Sequence, residues 1–241
     1  MGLFRWMAAK LKRQTALTEQ PEPEPSEVVP AIPSDEGPQG AARTKAAKPR
    51  PRRDAGKLQK ELDGYLADCA FGGLTSVLGF RDLLEFLLRL TLMQPGAPAP
   101  CLAINFDRDP YRITGRVPLN DGNFLKLSFG VTAREPGRLT VWRAKVQYEQ
   151  GPGDEEWIWR YDDHGPTDGR SPHYNRNPVW WARHKGLRVP THTPCERRSM
   201  ERLIRLLTDD PLFGVPCNED REVWDPLLKR SERWFLLSRS R

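Results

Sequence analysis

"LTVWRAKVQYEQ", residues 139–150, is the stretch on which the fold turns. Trp142, Ala144, Val146 and Tyr148 alternate with Arg143, Lys145, Gln147 and Glu149, which is the period-two pattern of a strand with one face in a core and one in water. Just upstream, "FLKLSFGV" repeats the pattern, with Leu125, Leu127, Phe129 and Val131 set against Lys126 and Ser128. The "NDGN" before it is a turn signal. Downstream, "GPGDE" reads as a turn and "EWIWRYD" as the next strand. Successive strands joined by short turns predict an antiparallel sheet.

Helical patterns flank this sheet. "KLQKELDGYLADCAF" and "FRDLLEFLLRLTLM" read as two helices separated by "GGLTSVLG". In the second, Arg81, Glu85 and Arg89 recur at four-residue spacing as a polar stripe among leucines, and "QPGAPAP" stops it. After the sheet, "TPCERRSMERLIRLL" predicts a helix with Thr193 as its cap, Pro194 in the first position and Glu196 closing a capping box. Met200, Leu203, Ile204 and Leu207 form its apolar stripe. "EVWDPLLKRSERWFLL" predicts a last helix, followed by a basic "SRSR". The fold class expected is α+β: an antiparallel β-sheet flanked by helices, in a single domain over residues 57–241.

The residues before that domain divide into two segments. Residues 1–17 begin "MGLFRWMAAKLKRQ", an amphipathic basic helix pattern with Leu3, Phe4, Met7 and Leu11 on one side. Such a helix suits weak contact with a membrane surface through residues 1–13, or docking on a partner. Residues 18–56 are rich in proline and small polar residues, a composition that predicts a disordered N-terminal linker. Its charge changes from Glu19, Glu22, Glu24 and Glu27 to Arg43, Lys45, Lys48, Arg50, Arg52 and Arg53.

Over the 241 residues the net charge is +6, and 29% are charged. An excess of this sign suits nucleic acid, an anionic membrane surface or an acidic partner. Four widely spaced cysteines, Cys69, Cys101, Cys195 and Cys217, give neither a disulfide framework nor a zinc-site spacing, and point to reduced thiols in the cytoplasm. No apolar run reaches the length of a membrane-spanning helix, and no secretory signal pattern is present. Phosphate-loop, dinucleotide-binding and hydrolase-elbow motifs are absent, and no cofactor is expected.

The chemistry concentrates in "WIWRYDDHGPTDGRSPHYNRNPVWW", residues 157–181. Strand phase sends Trp157, Trp159 and Tyr161 one way. If these fill the core, Arg160 and Asp162 stand side by side on the exposed face, with Asp163 and His164 where the strand runs out. His173 returns nine residues later, close enough in sequence to approach His164. Two exposed imidazoles can serve as general base and general acid, and arginines such as Arg160, Arg170 and Arg176 can stabilise charge developing on a phosphate. That inventory suits metal-independent cleavage of RNA, in which the 2′-hydroxyl is the internal nucleophile. Binding of a divalent metal by Asp162, Asp163, His164 and His173 is the alternative chemistry, although the spacing matches no tight ligand motif. An arginine–aspartate ion pair with locally bonded histidines is the structural alternative.

Residues 113–181 resemble the TumE-like family of toxin–antitoxin proteins. The resemblance rests on "LNDGNFLKLSF", "VQYEQ", "WRYDDH" and "SPHYNR", and only the "RYDD" strand end with its two following histidines is distinctive. It departs from the family pattern where His173 is followed by Tyr174 and Asn175 rather than by a second histidine. The chain is also longer than the short single domains typical of the family. The resemblance implies a toxin-type protein that engages RNA and has a cognate antitoxin as partner. Joined to the residue chemistry above, this gives a reading in which His164 and His173 are the acid/base pair, Arg160 contacts phosphate, and Asp162 orients a histidine or Arg160. Arg170, Arg176, Arg183, Lys185, Arg50, Arg52 and Arg53 are the candidate nucleic-acid contacts. "WWARHKGLR" mixes aromatic and basic residues in a way that suits base stacking. His184 and His192 either join the site or cover the start of the following helix, and the structural role is favoured for each. The competing reading is a non-catalytic protein that holds nucleic acid or an acidic partner through its basic tail, with the sheet as scaffold.

Overall fold

A computed structural model describes residues 53–107, 110–136, 138–150, 157–165 and 168–239, all within one compact unit that spans Arg50–Arg241. The expected helix in residues 1–17, the linker up to residue 52, Arg50, Arg52 and the 151–155 turn lie outside the described residues.

The chain enters through α1 (Ala55–Phe71), two residues earlier than expected, because the Asp54 carboxylate accepts from the Gly56 and Lys57 amides and caps it. Gly72, at φ +104°, turns the chain into α2 (Gly73–Leu90). Leu83, Leu84, Leu87, Leu88 and Leu90 on α2 are almost wholly removed from water, worth about 1.5–3 kcal/mol each. Glu85 departs from its expected place in a solvated stripe. It is buried and accepts the Leu102 amide at 2.8 Å, anchoring the first strand to the helix.

Seven strands follow in sequence order as one antiparallel sheet: β1 (Leu102–Asn105), β2 (Tyr111–Pro118), β3 (Phe124–Glu135), β4 (Arg138–Glu149), β5 (Trp157–Asp163), β6 (His173–Arg176) and β7 (His192–Pro194). The α+β expectation holds. One face carries Ile113, Val117, Leu125, Leu127, Phe129, Val131, Val146 and Tyr161, all buried beneath the helices. The other face presents Arg112, Lys126 and Lys145 to water. Gly115 belongs to the inner face, where a β-carbon would stand 2.2 Å from the Cys101 carbonyl oxygen, so only glycine admits β1 at this distance.

Two irregularities overturn simple alternation. In β4, Val131 pairs with Val141 and Gly130 with Arg143, leaving Trp142 unopposed. This bulge puts Val141 toward the core and Trp142 on the outer face, where its indole N–H donates to Thr132 Oγ1 at 2.7 Å. In β5, Trp159 pairs with Tyr148 but Trp157 with Glu149. Trp157 therefore shares the outer face with Arg160, whose guanidinium carbon lies 5.6 Å from its ring centre. Trp159 and Tyr161 do enter the core.

The short helix α3 (Pro178–Lys185) is capped by Asn177, and its Trp181 fills the core, donating to the Ile158 carbonyl at 3.1 Å. The next helix, α4, is Met200–Asp209 with Ser199 as its cap. The expected start at Thr193 is wrong because residues 192–194 are spent on β7, pairing with β6. The Tyr161 hydroxyl then holds the Arg198 amide at 2.9 Å, so the helix begins only where the Met200–Leu207 apolar stripe does. The final helix, α5 (Arg221–Arg239), tolerates Pro226 one turn from its start. No helix among the described residues is long and apolar enough to cross a membrane.

The α4–α5 seam is charged. Arg205 binds Asp225 at 2.8 Å and Glu232 at 3.0 Å, while Arg202 adds a 2.6 Å bond to Glu232. Burial pushes both carboxyls upward, but hydrogen bonds from Lys229, Arg205 and Arg202 outweigh it and hold both below their usual values. A depressed folded value contributes stability above the unfolded carboxylate range, lost as pH falls through the folded values. Below about pH 4 the melting temperature should therefore drop more for the native protein than for Arg205→Met. Glu201, which burial raises, acts with the opposite sign in both proteins and cancels in the comparison. Parallel pH profiles in thermal melts would remove the seam from the account.

Candidate functional site

The outer sheet face builds a groove of about 750 Å³. Its floor follows from register: Ser128 opposes Lys145, Lys145 opposes Asp162, and Asp162 opposes His173. The flanking row places Gln147 beside Arg160, Arg160 beside Asn175 and Asn175 beside His192. Arg112, Arg143 and Arg170 close its sides together with Trp142 and His164.

Asp162 is the hub, buried at 6% exposure. Its Oδ2 accepts from Arg160 Nε at 2.6 Å and from Asn175 Nδ2 at 2.7 Å. His173 Nε2 lies 3.8 Å from the same oxygen, beyond hydrogen-bond reach. Asp162 thus orients Arg160 and Asn175 directly and faces His173 as a charge partner only when that ring is protonated. The Ser171 carbonyl can only accept, so its 3.0 Å contact with His173 Nδ1 assigns the neutral ring's proton to Nδ1. Nε2 then keeps its lone pair.

Three imidazoles converge here. The His164 and His173 ring centres are 5.3 Å apart, stacked at 30°, and the His192 ring centre lies 4.1 Å from that of His173, tilted by 35°. His164 and His173 are the pair the sequence singles out; of the two readings open for His192, the ring contact with His173 matches the one in which it joins the site, and His184 does not join it. His173, expected to be exposed, is 7% exposed. His164 is the more accessible, with its Nδ1 3.8 Å from Asp168 Oδ2. Asp168 in turn takes two bonds from Arg170, at 2.7 and 2.9 Å, and hydrogen bonding by Arg170 is the main reason its carboxyl sits below the ordinary value.

Asp163 does not join the groove floor. Strand phase turns it to the opposite side, where its oxygens take Arg197 Nε at 2.7 Å, Arg197 Nη2 at 3.1 Å and the Gly165 amide at 3.0 Å. That last bond sets the turn after His164. Gly165 has φ +83°, and a β-carbon there would stand 2.3 Å from the Trp142 carbonyl oxygen. Only glycine lets the loop lie against the β4 bulge, and this contact brings His164 beside Trp142. Among the described residues no cluster of three His, Cys, Asp or Glu is arranged to hold a metal ion.

The other expected contacts scatter. Arg176 pairs with Trp159, so strand phase turns it to the helical face. Arg183 and Lys185 ride on α3, which packs at the Ile158 end of β5, roughly 20 Å along the strand from His164 by strand rise. His184 stacks on Trp180 there, its Nδ1 3.0 Å from the Trp180 carbonyl. Arg53 pairs with Glu219 at 3.3 Å among Arg89 and Gln94, apart from the groove. Of the described candidates, Arg160, Asp162, His164, Arg170 and His173 gather in one place. Arg112, Arg143 and Lys145 join them without having been singled out, though the outward phase of Arg143 and Lys145 was legible.

Compared with protein-family models, curated proteins and solved structures, the chain matches none.

Proposed function

We propose that the groove binds RNA and cleaves it by acid/base chemistry, as a toxin-type protein of the TumE-like kind. The observation that carries this reading is the cluster of His164, His173 and His192 near Arg160, on a face that also bears Arg112, Arg143, Lys145 and Arg170. One imidazole takes the proton of the 2′-hydroxyl as its oxygen bonds to phosphorus. A second donates a proton to the departing 5′-oxygen as the phosphorus–oxygen bond breaks. A 2′,3′-cyclic phosphate and a 5′-hydroxyl result. Arg160, held by Asp162, meets the charge developing on the phosphate oxygens. The family's second loop histidine is missing after His173, and His192 brings a ring to that neighbourhood from the adjacent strand.

Fluorescence anisotropy with a labelled RNA tests the binding step, and gel analysis of the same RNA with chelator present tests the cleavage step. Lys145 is exposed, so Lys145→Glu should leave folding intact. It should weaken binding about tenfold and lower the slope of log affinity against log salt by about 1. Binding that ignores both Lys145→Glu and salt would sink the groove as the interface. Salt-dependent binding without cleavage would reduce the reading to a non-catalytic one.

A further inference from the structure

Among the described residues that line the groove, Trp142 is the aromatic ring that neither the fold's core nor the acid/base chemistry uses. The bulge expels it from the core, a device common beside functional sites. Its N–H is tied to Thr132 Oγ1 at 2.7 Å, which fixes the plane of the ring. The other outer-face aromatics are already covered: Arg160 lies over Trp157 at 5.6 Å and Arg116 over Phe124 at 3.6 Å. Among the described residues no ring or guanidinium lies over Trp142. An oriented, uncapped indole thus lines the groove beside His164, next to the cations Arg143 and Lys145.

Resting on the RNA reading above, we propose that the groove takes single-stranded RNA and rejects duplex, with one base stacked on Trp142. Three features combine. Aromatic faces interleaved with cations on an open sheet recognise unpaired bases, because a base inside a helix has no free face to offer. His173 is recessed at 7% exposure, so a phosphate reaches it only if its strand bends into the sheet. The roughly 750 Å³ groove is of small-ligand size and admits a short run of nucleotides rather than a helix. The in-line attack of a 2′-hydroxyl on its own phosphorus also requires a backbone freed from helical geometry. A base held on Trp142 beside His164 supplies that departure by pulling the strand out of regular stacking.

Anisotropy titrations with three labelled probes test this on the full chain: a single-stranded RNA, the same strand annealed to its complement, and a ribose-phosphate strand of equal length without bases. Affinity should follow the order single strand, then abasic strand, with the duplex at least tenfold below the single strand. Trp142→Leu should weaken single-strand binding by roughly 5- to 150-fold and leave the abasic strand unaffected. Trp142→Phe, which keeps a ring, should stay within a few-fold of the native protein. Circular dichroism melts of both variants verify that the bulge folds. A duplex that binds as tightly as the single strand, or equal losses from Leu and Phe at normal melting temperature, overturns the inference and leaves the RNA reading standing. Failure of all three probes to bind overturns the RNA reading itself.

Discussion

His164→Ala should lower the rate of RNA cleavage by roughly 10²–10⁴-fold while changing stability by no more than about 0.5 kcal/mol. His164 is the discriminating member of the imidazole stack because its side chain is 27% exposed and its closest carboxylate, Asp168, is 3.8 Å away. Nothing in the core leans on it. His173→Ala is a weaker test, since that ring is buried, touches two other imidazoles and is bonded to the Ser171 carbonyl. Its loss should cost about 1 kcal/mol or more through the cavity and the lost bond, so reduced activity there has two causes. Single-turnover cleavage of a labelled RNA, paired with thermal melts, separates them. A His164→Ala protein that melts normally and cleaves at the native rate sinks the acid/base assignment.

The largest stability effect should come from a residue outside the groove. Arg197→Met leaves the Asp163 carboxylate, 5% exposed, with the Gly165 amide but without its guanidinium. Removing one partner from a buried ion pair costs about 3 kcal/mol, because an uncompensated charge stays behind. Asp163→Asn should cost less, since Arg197 is 37% exposed and can turn to water. The double variant should recover part of the Arg197→Met loss, as coupled neighbours do. Urea denaturation at neutral pH reads all three. A loss below about 0.5 kcal/mol for Arg197→Met would mean that Asp163 finds another partner. Because Asp163 holds the Gly165 turn, Arg197→Met should also reduce cleavage by letting His164 drift.

The sheet was legible where strands are long. β3 and β4 show their phase in Leu125, Leu127 and Phe129 and in Ala144, Val146 and Tyr148, because each strand has one buried face to enforce it. The same pattern misplaced Trp142 and Trp157, since a bulge inserts one residue without changing composition. β1 and β2 went unread, although β2 sets Ile113 and Val117 against Arg112 and Arg116. β6 and β7, at four and three residues, are too short for any period to register. A side-chain bond from Asn175 to Asp162 ties β6 to β5, and β7 is held by pairing with β6 alone; both are tertiary facts. For the site, "RYDDH" and His173 were visible as a cluster. His192 was legible only as one of two alternatives, because it arrives through the three-residue β7, and Arg197 was not legible, because it meets Asp163 on the other side of the sheet from 24 residues beyond His173.

The two strands at the margins of the sheet are its shortest: β1 spans Leu102–Asn105 and β7 spans His192–Pro194. Proline stands close to each, at Pro100 before β1 and at Pro194 within β7. A short border with proline in it or just before it is a poor template for another chain to add a strand. A protein whose broad polar face lies open needs this guard, since the same flatness that admits a ligand would otherwise invite polymerisation. Lengthening β7 by replacing Pro194 with valine would trade that safety for an extended edge, and self-association would be its first symptom.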